Sequence, residues 1–308
     1  LSPLPGVAKK SMPADPRVQL FRSIPSTLSE SALWHPTRQS LFWIDIPGQK
    51  IFETSAEPGA PTRTLPVDQL IGAVVPTACG GLLAALRDGI YRVDLTTGAT
   101  TLFAHTREHD AAHFRFNDAK CDPSGRLWAG TLSLTAGVRE AAALYRFAAD
   151  GTCHLMRERV TLSNGLAWSL DGRTLYHIDT PTRAVHAYDF APEAGEISRP
   201  RIALEFGALP GFPDGCTLDA DGCLWVAHWG GACVTRWDPV RGRLLDTLHL
   251  PVSQVTTCTF GGPNLDTLYI TTAGCDLTPE QKKSEPAAGF VFAASVGVMG
   301  VLANAFAG

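Results

Sequence analysis

The sequence has no long block of basic residues, no Cys-x-x-Cys pair and no sustained helical periodicity. Across 308 residues, 26 Lys and Arg stand against 30 Asp and Glu for a net charge of −4, so no electrostatic footprint for tracking phosphates is present and nucleic acid is not an expected partner. The eight cysteines, at 79, 121, 153, 216, 223, 233, 258 and 275, are too scattered for a disulfide scaffold. They read as reduced thiols serving as small apolar side chains. Cys216 lies two residues from Asp214, but no base for a nucleophilic thiol is identifiable nearby. Residues 1–15 hold prolines and two lysines without an apolar core, so they read as a flexible leader rather than a signal peptide, and a cytoplasmic location is expected.

What the chain does have is a repeat. An apolar doublet follows a polar turn six times: Leu41-Phe42, Leu82-Leu83, Leu127-Trp128, Leu175-Tyr176, Leu224-Trp225 and Leu268-Tyr269. The intervals between them are 41, 45, 48, 49 and 44 residues, the period of a four-stranded propeller blade. The segments are short, aromatic or β-branched, and bounded by Gly, Asp, Asn and Pro, as strands are. An aromatic marker follows each doublet, at Phe52, Tyr91, Tyr145, Tyr188, Trp237 and Phe292, where a third strand should pack it between blades. The expectation is an all-β, six-bladed propeller of four-stranded blades with a central metal site, forming one domain over 16–308.

Two terminal segments bear on closure of the ring. Val18–Phe21 has strand character and could complete the last blade, which would remove an exposed edge. The uncharged run 287–308 is long enough by count to span a bilayer, but glycines at 289, 297, 300 and 308 interrupt it, and residues 289–292 supply a strand the sixth blade needs. No membrane partner is expected, and the state is a monomer or weak dimer.

Counting back from the anchor leucines places Glu30 and Asn164 at minus eleven and Asn117 and Asp214 at minus ten. Inner strands of a propeller line one channel, so residues distant in sequence meet at its mouth. Two carboxylates with amide oxygens, and no Cys or His at that offset, suit a hard divalent cation such as calcium, magnesium or manganese. Asp122, Asp171 and Asp221 instead precede Gly125, Gly172 and Gly222 and read as turn caps. His109 and His113 have a spacing that chelates a metal only on a helix, without the glutamate a metalloprotease requires. His228 could face the channel, though packing is the commoner fate of a strand histidine.

The chain resembles the gluconolactonase/regucalcin family, also called the senescence-marker-protein and luciferin-regenerating-enzyme group. The resemblance rests on Leu28-Ser29-Glu30-Ser31-Ala32-Leu33-Trp34, on Arg115-Phe116-Asn117-Asp118-Ala119-Lys120-Cys121-Asp122, on the segment Gly125–Leu132, on Ser163-Asn164-Gly165-Leu166-Ala167-Trp168 and on Pro213-Asp214-Gly215. It implies that Glu30, Asn164 and Asp214 bind one divalent metal (Ca, Mg, Mn, Zn or Fe), that Asp214 is also the catalytic acid/base, and that Arg115 and Asn117 hold a small-molecule sugar lactone. The implied reaction opens an aldono-1,4- or 1,5-lactone to its aldonic acid in pentose or hexose catabolism. A metal-dependent esterase or phosphotriesterase, or a non-enzymatic calcium-binding regulatory propeller, stays open as an alternative. The sequence departs from the family in two places: Ser29-Glu30-Ser31 stands where Gly-Glu-Gly is usual, and Ser133-Leu134-Thr135 lacks the acids that bind hydroxyls in some members, with Glu140 a possible substitute.

Overall fold

Four-residue turns rich in Gly, Asp and Asn punctuate the chain, and between them the apolar segments pair as antiparallel strands. The computed structural model describes residues 13–106 and 110–308. Six four-stranded sheets follow in chain order. The first comprises Ser29–His35, Ser40–Asp45, Lys50–Ser55 and Arg63–Pro66; the next four begin at Ile71, Phe114, Ser163 and Phe212. In the sixth, Val255–Gly261, Thr267–Thr272 and Val291–Ser295 are completed by Val18–Arg22, which pairs with Val291–Ser295. The strand expected at 18–21 therefore closes the ring, and the fold is an all-β six-bladed propeller.

Each anchor leucine begins or lies within the second strand of its blade and is buried, while each aromatic marker falls in a third strand. Neighbouring blades also interlock through aromatic side chains. Trp128 of the third blade meets Trp168 and Phe190 of the fourth edge to face at 5.9 Å, the geometry aromatic quadrupoles prefer. A fully buried side chain of this size is worth roughly 1.5–3 kcal/mol over leaving it exposed. All eight cysteines are free thiols. The only described α-helix is Pro279–Ser284, started by a reciprocal Thr278–Gln281 capping box, and no described helix is long and apolar enough to cross a membrane.

The run 287–308 does two jobs. Its first part gives the strand Val291–Ser295, and its last part crosses the propeller floor as a strap. Gly300 bridges to Asp219, Asn304 Nδ2 donates to the Cys121 carbonyl at 3.2 Å, and Phe306 is fully buried with backbone bonds to Pro76 and Ala78. Of the expected leader, residues 1–12 lie outside the described residues. Asp15 donates its N–H to the His249 carbonyl at 2.9 Å and shares Arg17 with Asp246.

Candidate functional site

All six innermost strands break register near their upper ends: between residues 30 and 33, 71 and 73, 116 and 119, 164 and 166, 213 and 216, and 255 and 257. Such bulges bend a strand and re-aim side chains, here at the level of the channel mouth. They also account for the one-residue variation in offset. Glu30 and Asn164 are the last paired residues before the bulge, whereas Asn117 and Asp214 lie inside it. Gly165 and Gly215 follow two of these residues because the blades touch there. A Cβ at 215 would overlap the Thr257 hydroxyl, and one at 165 would sit 2.9 Å from the Asp214 carbonyl oxygen.

The fold brings together all five residues singled out from the sequence. Arg115 Nη1 donates to Asn117 Oδ1 at 2.8 Å; Asn117 Nδ2 donates to Asn164 Oδ1 at 2.7 Å and to the Ser163 carbonyl at 2.8 Å. Asn164 Nδ2 donates to Thr180 Oγ1 at 2.7 Å, and that hydroxyl donates to the Pro213 carbonyl at 2.8 Å. A guanidinium can only donate and a carbonyl can only accept, so the direction of the whole chain is fixed and both amides are oriented by it. Asn164 consequently keeps its oxygen, not its nitrogen, on the Asn117 side, with acceptor capacity left over.

The two carboxylates are treated differently. Glu30 accepts one bond, from the Ser31 N–H at 3.0 Å, and Asp214 accepts none from any described residue. Burial first, and the charge of Asp118 second, push the Glu30 carboxyl up to about 8, against the opposing pull of the Ser31 N–H and Arg115. Burial, then Glu30 and Asp118, push Asp214 well above the ordinary carboxylate range. Arg115 lies in the same enclosed space, where burial lowers it to about 10 although Glu30 and Asp214 both favour its charge. Arg115 thus faces Glu30 and Asp214 while Lys120 answers Asp118, so two cations stand against three carboxylates.

Asp118 is the site residue that sequence reasoning passed over. It stands beside Asn117 in the Arg-Phe-Asn-Asp block, and adjacency to the offset position was its only signal. Burial raises its carboxyl, while Lys120 and the Ala119 N–H oppose the rise. Lys120 donates its ammonium to the Cys216 carbonyl. Below them the channel encloses a cavity of about 90 Å³, floored by Val301–Asn304 of the strap.

Other candidates fall away. Burial pushes the Cys216 thiol up to about 12, leaving it inert. His228 is fully buried, its Nε2 2.7 Å from Thr235 Oγ1 and its ring edge-on to Phe206, and burial takes it down to about 4. His109 lies outside the described residues; His113 is exposed and paired with Asp110 at 2.7 Å. The Glu140 carboxylate is bound by Arg159 at 2.5 Å on the surface. One turn assignment is corrected. Asp122 does cap its turn, but its counterpart in the fifth blade is the buried Asp219, which accepts the Asp221 and Cys223 N–H groups; Asp221 is exposed and pairs with Arg236.

Among the described residues no three His, Cys, Asp or Glu side chains gather as a metal cluster. The donors present fit a hard cation nonetheless: Asp214 is buried and Glu30 half-buried, the two repel each other and are almost without hydrogen-bond donors among the described residues, and the Asn164 amide oxygen is held beside them. A divalent ion would supply the charge and the coordination they lack.

Fold and site together define a six-bladed propeller with an acidic, amide-lined centre at one end of its channel. The chain belongs to the SMP-30/Gluconolactonase/LRE-like family, whose model matches residues 28–274. It is 36% identical to regucalcin of Danio rerio over 91% of this chain and 95% of that protein. It is 35% identical to a Bacillus subtilis (strain 168) protein assigned as a sugar lactone lactonase, YvrE, over 92% of this chain and 96% of that one. Among solved structures, a luciferin-regenerating enzyme superposes with a TM-score of 0.87 at 30% identity, covering 94% of this chain and 99% of its own. Family membership supports a lactonase class of activity.

Proposed function

We propose that this protein is a divalent-metal-dependent hydrolase of sugar lactones, opening an aldono-1,4- or 1,5-lactone to the aldonic acid. The observation that carries the reading is the pair of donor-poor carboxylates, buried Asp214 and half-buried Glu30, beside the oriented amide of Asn164. These three residues would hold the cation, which when bound supplies Lewis acidity toward the lactone carbonyl. An Agrobacterium tumefaciens regucalcin described as calcium-binding superposes with a TM-score of 0.88 at 26% identity, over 93% of this chain and 96% of that one, which supports a metal-binding role for this fold.

Asp214 takes a proton from the attacking water on a carboxylate oxygen and returns it to the ring oxygen as the acyl–oxygen bond breaks, so that lactone and water give one hydroxy acid. No described residue donates to Asp214 in competition with that proton. Arg115 and Asn117, already linked at 2.8 Å, orient substrate hydroxyls above the carboxylates. The test follows acid release from D-xylono-, L-arabinono-, D-galactono- and D-glucono-lactone by chelated protein with and without each divalent metal, corrected for spontaneous opening. Metal-dependent acceleration on any one supports the reading, and none across the panel with metal bound defeats it.

A further inference from the structure

We propose that the rim of this site selects lactones that present a hydrocarbon edge, meaning deoxy sugar lactones carrying a methyl or methylene where a hydroxyl would stand, over their fully hydroxylated counterparts. This rests on the lactone-opening reading above.

The register around Arg115 carries the argument. Arg115 pairs directly with Leu132 of the next strand, so the two side chains leave the same face of the third blade. Leu132 also bridges to Leu162, which opens the fourth blade two residues before Asn164. The ladder runs one step further out, where the Leu134 N–H donates to the His113 carbonyl at 2.7 Å, placing Leu134 two positions along on that same face. Leu132 and Leu162 keep part of their surface open, and Leu134 is 40% exposed. Beside Arg115 stands a wall of leucine reaching from the cleft between the blades to solvent.

Polar groups nearby are already committed. His113 turns to Asp110 at 2.7 Å, and Glu140 is bound by Arg159 at 2.5 Å. Arg115 donates to the Phe116 carbonyl and to Asn117, which leaves it fewer donors for a polyol. A hydroxyl pressed against Leu132 and Leu134 would lose its water and find no acceptor there, whereas a methyl group would lose nothing. A hydrophobic wall rejects an added hydroxyl by up to about 10²-fold, which bounds the effect.

The experiment compares kcat/KM on two matched pairs, D-fucono- against D-galactono-1,4-lactone and 2-deoxy-D-glucono- against D-glucono-1,5-lactone, with protein saturated in the metal that supports turnover. The expected result is a preference of about tenfold or more for the deoxy member of at least one pair. Leu134→Glu, at an exposed position that the fold tolerates, should erase that preference, and Leu134→Ala should reduce it. Equal or better use of the hydroxylated member in both pairs overturns the proposal, as does a preference that survives Leu134→Glu. Turnover of none of the four lactones by protein that opens a pentonolactone overturns this inference alone, whereas turnover of none of them and of neither pentonolactone, with metal bound, defeats the lactonase reading itself and this inference with it.

Discussion

The inner strands present carboxylates at the mouth and, in the turns that follow them, at the floor, and the two ends treat them in opposite ways. At the floor, Asp122 accepts the backbone N–H groups of Ser124 and Arg126, Arg126 Nε at 2.7 Å and Trp128 Nε1 at 3.0 Å. Asp219 repeats the arrangement with Asp221, Cys223, Arg236 Nε at 2.7 Å and Trp225 Nε1 at 2.9 Å. Glu30 and Asp214, at the mouth, have one donor between them among the described residues and repel each other. A carboxylate ringed by four donors is finished, and its role is to hold the turn. One left without donors in a buried place is a cost the fold carries for a ligand's sake.

Removing charge at each end is the sharpest way to break this contrast. Asp214→Asn should lower kcat by about 10³-fold, within the span usual for a lost general acid/base, while the protein still folds. Turnover within tenfold of the parent would remove Asp214 from the reaction. Asp219→Asn should do the reverse. It breaks a buried pair with Arg236 and costs about 3–5 kcal/mol in denaturant unfolding, with kcat changed little in the fraction that folds. Similar losses of stability in both variants would erase the distinction between the two ends.

Titration gives a smaller but directional effect. In metal-free protein the Glu30 carboxyl is raised from 4.5 to about 8, so between those values the folded state holds a proton that the unfolded state has released. Stability therefore falls as pH rises from about 4.5 to about 8, the opposite of a paired surface carboxylate. A thermal melting series should show a declining midpoint over that window, restored at pH 8 by a divalent cation and flattened by Glu30→Gln. A rising midpoint in the absence of metal would contradict the picture of strained, unpaired carboxylates.

The mouth was far more legible in the sequence than the floor. Glu30, Asn117, Asn164 and Asp214 fall within one residue of a common offset because each blade repeats the same strand, and a repeat converts sequence position into spatial position. The strap has no such periodicity. Asn304 meets Cys121 across 183 residues and Phe306 fills a pocket among the second and third blades, contacts that no local pattern encodes. Asp118 stayed hidden because the bulge at 116–119 places two consecutive residues in the site, which simple strand alternation forbids. Asp221 was read for Asp219 because a turn offers two aspartates and only the hydrogen bonds show which one is enclosed.

The smallest effect tests how the mouth tolerates Ser31 at a left-handed backbone position that favours glycine. Ser31 has φ of 53°, in the left-handed region where a side chain costs about 1 kcal/mol or more. Its hydroxyl accepts the Val74 N–H at 2.9 Å, stitching the first blade to the second beside Glu30. Ser31→Gly relieves the backbone but strands that buried N–H, at about 1–3 kcal/mol, so the net loss should be only about 1 kcal/mol. Ser31→Ala keeps the strained φ and strands the same donor, and should be the worse of the two. Chemical denaturation of both variants decides the matter. If alanine proves no worse than glycine, the positive φ carries no cost; if neither loses stability, the hydroxyl stitch between the blades contributes nothing, and Glu30 is positioned by its own strand alone.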